Sequence, residues 1–152
     1  MPANPSAAQP EASSIVEVRR VIRAPRERVF QAWTTPEDVK RWSSPGPVEV
    51  VSSEIDLRVG GRYALNMIAP DGGHHDAYGE YRVIDPPRRI VYTWSWVQEA
   101  EVRDTIVTVE FNDLGASGTE VVLRHEGLAT AKQRESHGAG WTSILDKLAE
   151  FV

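Results

Sequence analysis

TAKQRESHGAGWTSILDKLAEFV, residues 130–152, is the segment around which the rest of the chain has to be arranged. Its large apolar residues recur at helical spacing, and they are Trp141, Ile144, Leu145, Leu148 and Phe151. A helix over this segment would be about 34 Å long at 1.5 Å per residue. Charged residues occupy its other side, so the sequence predicts a long helix that lies half-buried across a sheet.

Gly138 and Gly140 fall inside this helix, where each glycine destabilises by about 1 kcal/mol relative to alanine. Three explanations are open at this point. The helix approaches the sheet closely at these positions, it begins only near Gly138, or the missing side chains leave room for a ligand.

Upstream of the helix, the pattern from residue 48 is one of short β-like runs separated by turn residues. The runs cover residues 48–55, 61–68, 77–84, 89–96, 104–112 and 119–125. Large apolar side chains alternate with polar ones along them, and no alternation of strands with helices occurs between them. The sequence therefore predicts an antiparallel meander.

The N-terminal part adds three elements. Residues 14–22 read as a further strand, which carries Arg20 on its apolar face. Two short helices follow, one after Pro25 and one with Thr35 as its cap. Residues 1–13 contain no large apolar residue after the first Met and are predicted to be a disordered tail, which leaves residues 14–152 as one domain. The predicted class is α+β, with a curved antiparallel sheet of six to seven strands, two short helices and a long C-terminal helix packed across it.

Composition narrows the function classes. The 152 residues include no Cys, which excludes disulfides, thiolate nucleophiles and Cys-ligated metals. His74 and His75 are adjacent in a strand-like run and point to opposite faces, so we expect no metal site there. A net charge of −5 argues against nucleic acid, and the lack of a long apolar run argues against a membrane span, so we expect a cytoplasmic protein. We find no GxSxG, GxGxxG, P-loop or HExxH motif.

The inward-facing positions of the strands and helices are rich in Trp and Tyr, whose N–H and O–H groups need partners. Such a wall fits an amphipathic pocket better than a dry core, so we predict a cavity of about 300 Å³ or more bounded by Trp94, Trp96, Tyr63 and Trp141. Replacing Trp141 by Phe should weaken ligand uptake with little change in melting temperature. The predicted ligand-binding residues are Trp33, Trp42, Tyr63, Leu65, Met67, Tyr81, Tyr92, Trp94, Trp96, Phe111, His125, Trp141 and Leu145.

Two polar residues lie on apolar faces, His125 and Arg20. Each is either a hydrogen-bonded or paired structural residue or a group that orients a ligand. The sequence shows no second titratable group beside His125, which an acid–base enzyme would need.

Several segments resemble the SRPBCC superfamily, also described as START-like or helix-grip proteins. They are VIRAPRERVFQAWTTPEDVKRW (21–42), EIDLRVGGRY (54–63), MIAPDGG (67–73), GEYRVIDPPRRIVYTW (79–94), LRHEGL (123–128) and HGAGWTSILDKLAEF (137–151). Within the superfamily they are most similar to the family named after the activator of the heat-shock-protein-90 ATPase. The resemblance implies a sheet curved around the long helix with an apolar cavity between them. It does not imply one activity, since members include lipid and polyketide binders, cyclases and the co-chaperone itself.

The sequence favours a binding protein over an enzyme. We expect it to bind a hydrophobic or amphipathic small molecule between sheet and helix, without a cofactor, as a monomer or homodimer. One alternative is a co-chaperone-like module that acts on a heat-shock-protein-90-type ATPase. A second alternative is a cyclase or hydrolase that uses His125.

Overall fold

The computed structural model describes residues 14–152, and the predicted N-terminal tail, residues 1–13, lies outside them. The described part contains three α-helices, α1 (Arg26–Thr34), α2 (Pro36–Trp42) and α3 (Ala131–Phe151). It also contains seven strands, which are β1 (Val16–Ile22), β2 (Glu49–Ile55), β3 (Arg62–Ile68), β4 (Ala77–Asp85), β5 (Arg89–Trp96), β6 (Thr105–Asp113) and β7 (Thr119–Glu126).

The seven strands form one antiparallel sheet in the order β1-β7-β6-β5-β4-β3-β2. The register shifts between Val50 and Ser52 in β2 and between Tyr81 and Val83 in β4. Bulges of this kind bend and twist a sheet, so the sheet curls and α3 packs on its inner side. The predicted α+β helix-grip class is confirmed.

Helix α3 begins well before its glycines. Thr130 is its N-cap: the Thr130 hydroxyl accepts a hydrogen bond from the Gln133 amide at 3.0 Å, and the Gln133 side chain accepts from the Thr130 amide at 3.2 Å. A helix that begins only near Gly138 is therefore wrong. A Cβ at Gly138 would lie 3.6 Å from Val16 and one at Gly140 would lie 3.8 Å from Pro45, both ordinary contacts. Close approach to the sheet therefore does not require glycine at either position.

The inward faces of the strands match the sequence pattern. Tyr63, Leu65 and Met67 of β3 are buried while their neighbours are less so. Arg20 differs from its predicted surroundings, because it is exposed and pairs with Asp146 of α3 at 3.3 Å. Arg20 is thus a paired surface residue that contacts the helix.

Helices α1 and α2 close one end of the curled sheet. The rings of Trp33 and Trp42 lie 4.7 Å apart, and the Trp42 indole donates to the carbonyl of Ala32 at 3.1 Å. Thr35 is the N-cap of α2 as predicted, although its side chain makes no capping bond. The segment after α2 is fastened to α3, because Lys147 donates to the carbonyl of Ser44 at 2.6 Å.

Two positions, one in a turn of the sheet and one in a strand, have no room for a side chain and therefore require glycine. A Cβ at Gly61, in the turn between β2 and β3, would lie 2.1 Å from the Asp56 carbonyl oxygen, so this position has no room for a side chain. A Cβ at Gly79 would lie 2.0 Å from the Thr93 carbonyl oxygen and 2.7 Å from the Tyr63 ring. Tyr63 therefore passes over Gly79 to donate a hydrogen bond to Thr93.

Candidate functional site

The space between sheet and helix is divided into two parts rather than one cavity. An inner cavity of about 40 Å³ lies toward α1 and α2, and a cleft of about 270 Å³ lies under the middle of α3. Trp94 and Trp141 line both spaces and so separate them. Of the four residues predicted to bound a single cavity, Tyr63 lines only the inner cavity and Trp96 only the cleft.

The inner cavity is nearly filled by aromatic rings that contact one another. The Tyr63 ring lies 5.3 Å from that of Tyr92 and 5.6 Å from that of Tyr81. The Trp33 indole donates to the Tyr92 hydroxyl at 3.3 Å. A water molecule needs about 10–15 Å³ of such space, so the cavity has room for a few waters and not for an organic ligand. The predicted site residues here are Trp33, Trp42, Tyr63, Leu65, Tyr81 and Tyr92, with Trp94 and Trp141.

Burial also fixes the protonation of these tyrosines. It raises the pKa of Tyr63, Tyr81 and Tyr92 above the ordinary value for a phenol, because the charged form loses its hydration. All three stay protonated at physiological pH. None of them serves as a base.

The cleft is apolar in its depth and polar at its mouth. Met67, Trp94, Trp96 and Trp141, all predicted site residues, form part of its wall. Its other lining residues are Pro45, Val48, His75, Glu99, Ser136, His137, Gly140 and Ile144. His75, Glu99 and Ser136 are exposed and His137 is half-buried, so the polar groups lie at the mouth.

Trp141 is held in place by a buried histidine. Its indole donates to Nδ1 of His125 at 3.0 Å, and Nε2 of His125 lies 2.8 Å from the Thr105 hydroxyl. Because an indole N–H only donates, Nδ1 of His125 is the acceptor and Nε2 carries the proton. The Thr105 hydroxyl in turn donates to the carbonyl of Trp94 at 2.6 Å. When the imidazole of His125 is neutral, every donor and acceptor in this series of hydrogen bonds has a partner.

A second histidine holds Trp96 in the same way. The Trp96 indole donates to Nε2 of His137 at 2.9 Å, and Nδ1 of His137 donates to the carbonyl of Gln133 at 2.7 Å. The Trp94 indole nitrogen is buried without a hydrogen-bond partner, and the rings of Trp96 and Trp141 each lie 5.2 Å from the Trp94 ring. The N–H groups of Trp96 and Trp141 are therefore already bonded to histidines, and the walls offer mainly ring carbons to the cleft.

His125 is placed to orient Trp141, and it lines neither space. Its side chain is fully buried, and this burial, reinforced by repulsion from His137, lowers its pKa from 6.5 to about 3. It is neutral at physiological pH. Two more predicted site residues line neither space: Phe111 packs against Phe30 with ring centroids 5.3 Å apart, and Leu145 is fully buried in the core.

Sequence reasoning missed most of the polar mouth. His137 precedes Trp141 by four residues, a spacing that places both on one face of α3 and that identifies His137 in retrospect. Glu99 comes from a segment outside the strands, where no periodicity assigns a direction to a side chain. His75 also lies outside them, between β3 and β4, so its placement in a strand-like run is wrong. Within residues 14–152, no three His, Asp or Glu side chains come together in a way that could hold a metal ion.

The curled antiparallel sheet wrapped on a long C-terminal helix defines a protein of the helix-grip class. The chain matches the model of the family described as "Activator of Hsp90 ATPase homolog 1-like protein" over residues 23–152, and it belongs to this family. Membership supports a ligand-binding or co-chaperone-like module and does not name the ligand or partner.

Solved structures agree with this assignment. A protein from Chromobacterium violaceum is 29% identical, with a TM-score of 0.82, over 92% of this chain and 97% of that one. An AHSA1-like protein from Aeromonas hydrophila is 25% identical, with a TM-score of 0.75, over 91% of each chain. A protein from Nitrosomonas europaea, 24% identical with a TM-score of 0.77 over 92% of this chain and 94% of that one, shares the fold. A comparison with curated proteins finds no match. Among the helices of residues 14–152, none has the length and apolar character needed to cross a membrane.

Proposed function

We propose that the chain binds a small, largely apolar molecule with one polar end in the cleft under α3. The observation that carries this proposal is the difference in volume between the two spaces. The cleft, at about 270 Å³, is close to the lower limit of about 300 Å³ for ligand pockets, whereas the inner cavity, at about 40 Å³, is far below it. A ligand of one or two fused rings matches the size of the cleft.

The chemistry of the lining supports an amphipathic ligand. The apolar wall of the cleft consists of three indoles and the side chains of Val48, Met67 and Ile144. The polar side chains lie at its open end. An apolar body would lie between the indoles, because burial of apolar surface there stabilises the complex. The polar end would remain near solvent at the mouth.

The two tryptophan–histidine pairs hold the indole walls of the cleft in fixed positions. Trp141 is fastened by His125 and Trp96 by His137, each through a hydrogen bond of 3.0 Å or less. Aromatic walls that are already fixed lose little conformational freedom when a ligand enters, and this raises affinity.

The two alternative functions have weaker support. An enzyme using His125 would need that imidazole to reach a substrate, but both of its nitrogens are engaged and its side chain is fully buried. A surface that docks on a large ATPase would offer unpaired charges. On the outer face of the sheet, Arg124 already pairs with Glu17 at 3.0 Å and with Glu110 at 3.2 Å.

Calorimetric titration with 2-naphthylmethanol, a neutral bicyclic alcohol, tests the proposal. Trp96→Leu removes a wall of the cleft, and Tyr78→Leu removes an exposed aromatic side chain from the neighbouring strand, so it is the matched control. We expect Trp96→Leu to weaken binding about fivefold or more, the value of an aromatic contact, and Tyr78→Leu to leave it unchanged. Equal affinities for the two variants, or no binding to the wild-type chain, would contradict the proposal.

A further inference from the structure

In the described part of the chain, the cleft lining holds one carboxylate and no Lys or Arg. Among the residues that line the cleft, Glu99 is the only Asp, Glu, Lys or Arg. Within residues 14–152, no ion pair or hydrogen bond is made by its carboxylate, although its backbone carbonyl accepts from Arg103 at 2.9 Å. A free carboxylate at the mouth of an apolar cleft favours a ligand with a positive end.

The cations of neighbouring segments, Arg103 and Lys147, do not line the cleft. Arg103 donates to the backbone carbonyls of Trp96, Glu99 and Val102, and its guanidinium lies 6.0 Å from the ring centre of Tyr78. Lys147 donates to the carbonyl of Ser44 and does not line the cleft. Because the Arg103 guanidinium faces backbone carbonyls outside the lining, the charged group that a ligand meets in the cleft is the Glu99 carboxylate, which repels an anion.

The aromatic walls of the cleft favour a cationic ligand, as Glu99 does. The face of an aromatic ring carries negative electrostatic potential, and its edge carries positive potential. In Trp96 and Trp141 the most positive edge, the N–H group, is turned to a histidine, and the Trp94 N–H is buried. Trp96 and Trp141 thus have no free N–H donor for an anion, and the faces of aromatic rings attract a cation.

We propose that this cleft selects organic cations, namely amines or quaternary ammonium compounds on a compact apolar body. The body lies between Trp94, Trp96 and Trp141, and the ammonium group lies toward Glu99. This inference rests on the proposed function, because it specifies the charge of a ligand in the same cleft.

Three probes that share a naphthalene body and differ in charge test this selectivity. They are 2-naphthylmethylammonium, 2-naphthylmethanol and 2-naphthoate, titrated by calorimetry at about pH 8, where histidine side chains are largely uncharged. We expect the ammonium compound to bind about tenfold more tightly than the alcohol, and the carboxylate to bind most weakly. Glu99→Gln should reduce the advantage of the ammonium compound to about threefold or less, the share left to the ring faces.

Glu101→Gln is the matched control, because it removes one negative charge from the same loop without touching the cleft lining. It should leave the advantage of the ammonium compound unchanged. Equal binding of the three probes, tightest binding of the carboxylate, or equal effects of the two substitutions would overturn the charge selectivity while binding in the cleft stands. If none of the probes binds the wild-type chain, the proposed function fails together with this inference.

Discussion

The inner cavity and the cleft both have aromatic walls, yet one is nearly filled and the other is open. In the inner cavity the polar atoms of the rings bond to the sheet or to one another, as when Trp33 donates to Tyr92 and Tyr63 donates to Thr93. In the cleft the Trp141 indole bonds to His125, which lies outside the lining, and the Trp96 indole bonds to His137 at the mouth. The two regions differ in the partners of their aromatic rings, which are other rings and backbone carbonyls in the inner cavity and histidines in the cleft.

The largest expected effect is a loss of stability when the aromatic packing around the inner cavity is disrupted. Trp42 is almost fully buried and closes the cavity, so Trp42→Ala should lower the free energy of unfolding by about 3–5 kcal/mol. Trp96 is only partly buried, and Trp96→Ala should lower it by less than half as much. Urea denaturation of both variants measures the difference. Equal losses would show that the cleft wall is as much a part of the core as the inner rings are.

The next effect concerns the anchoring of Trp141. Trp141→Phe keeps most of the apolar volume but leaves Nδ1 of buried His125 without its donor, which should destabilise the fold by about 1–3 kcal/mol. This replaces the expectation of an unchanged melting temperature, which assumed that the indole N–H serves a ligand. The matched variant Trp33→Phe removes a longer bond, of 3.3 Å, and should destabilise less. If thermal melting ranks the two variants in the reverse order, the anchoring role of His125 is wrong.

The pH dependence of stability tests the same histidine. The pKa of His125 is about 3 in the folded chain against 6.5 when exposed, so the unfolded chain takes up a proton that the folded chain does not. The full stability is present above about pH 6.5, and it falls by up to about 1.4 kcal/mol per pH unit as the pH drops toward 3. His125→Gln should remove this slope between about pH 6.5 and 5, whereas His74→Gln, at an exposed position, should keep it. Urea titrations that show the same slope in all three proteins would contradict the assignment.

The smallest expected effect separates the two helix glycines. Gly138→Ala and Gly140→Ala should each raise the free energy of unfolding by up to about 1 kcal/mol, since a Cβ at either position makes only ordinary contacts. Gly140 lines the cleft and Gly138 does not, so only Gly140→Ala should weaken the binding of 2-naphthylmethanol. Calorimetry with both variants checks this. Equal affinities would mean that Gly140 does not keep the cleft open.

The fold was predictable from the sequence because its signals are local. Alternation along β3 and β5 and helical spacing in α3 place these elements within one or two residues of their observed bounds. The division of the interior was not predictable, because it depends on which rings meet across strands far apart in the sequence. The inward direction of His125 followed from alternation, but its isolation from both spaces depends on Trp141 lying over it. Glu99 lies in a loop without periodicity, so only the structure brings it to the cleft.

A proton–nitrogen NMR spectrum of the five tryptophan indole groups, recorded while 2-naphthylmethanol is added, tests the central claim most directly. Trp96 lines only the cleft, Trp33 and Trp42 line only the inner cavity, and Trp94 and Trp141 line both. Binding in the cleft predicts that the Trp96 signal shifts together with those of Trp94 and Trp141, while the signals of Trp33 and Trp42 stay in place. Shifts of the Trp33 and Trp42 signals with an unmoved Trp96 signal would contradict the account.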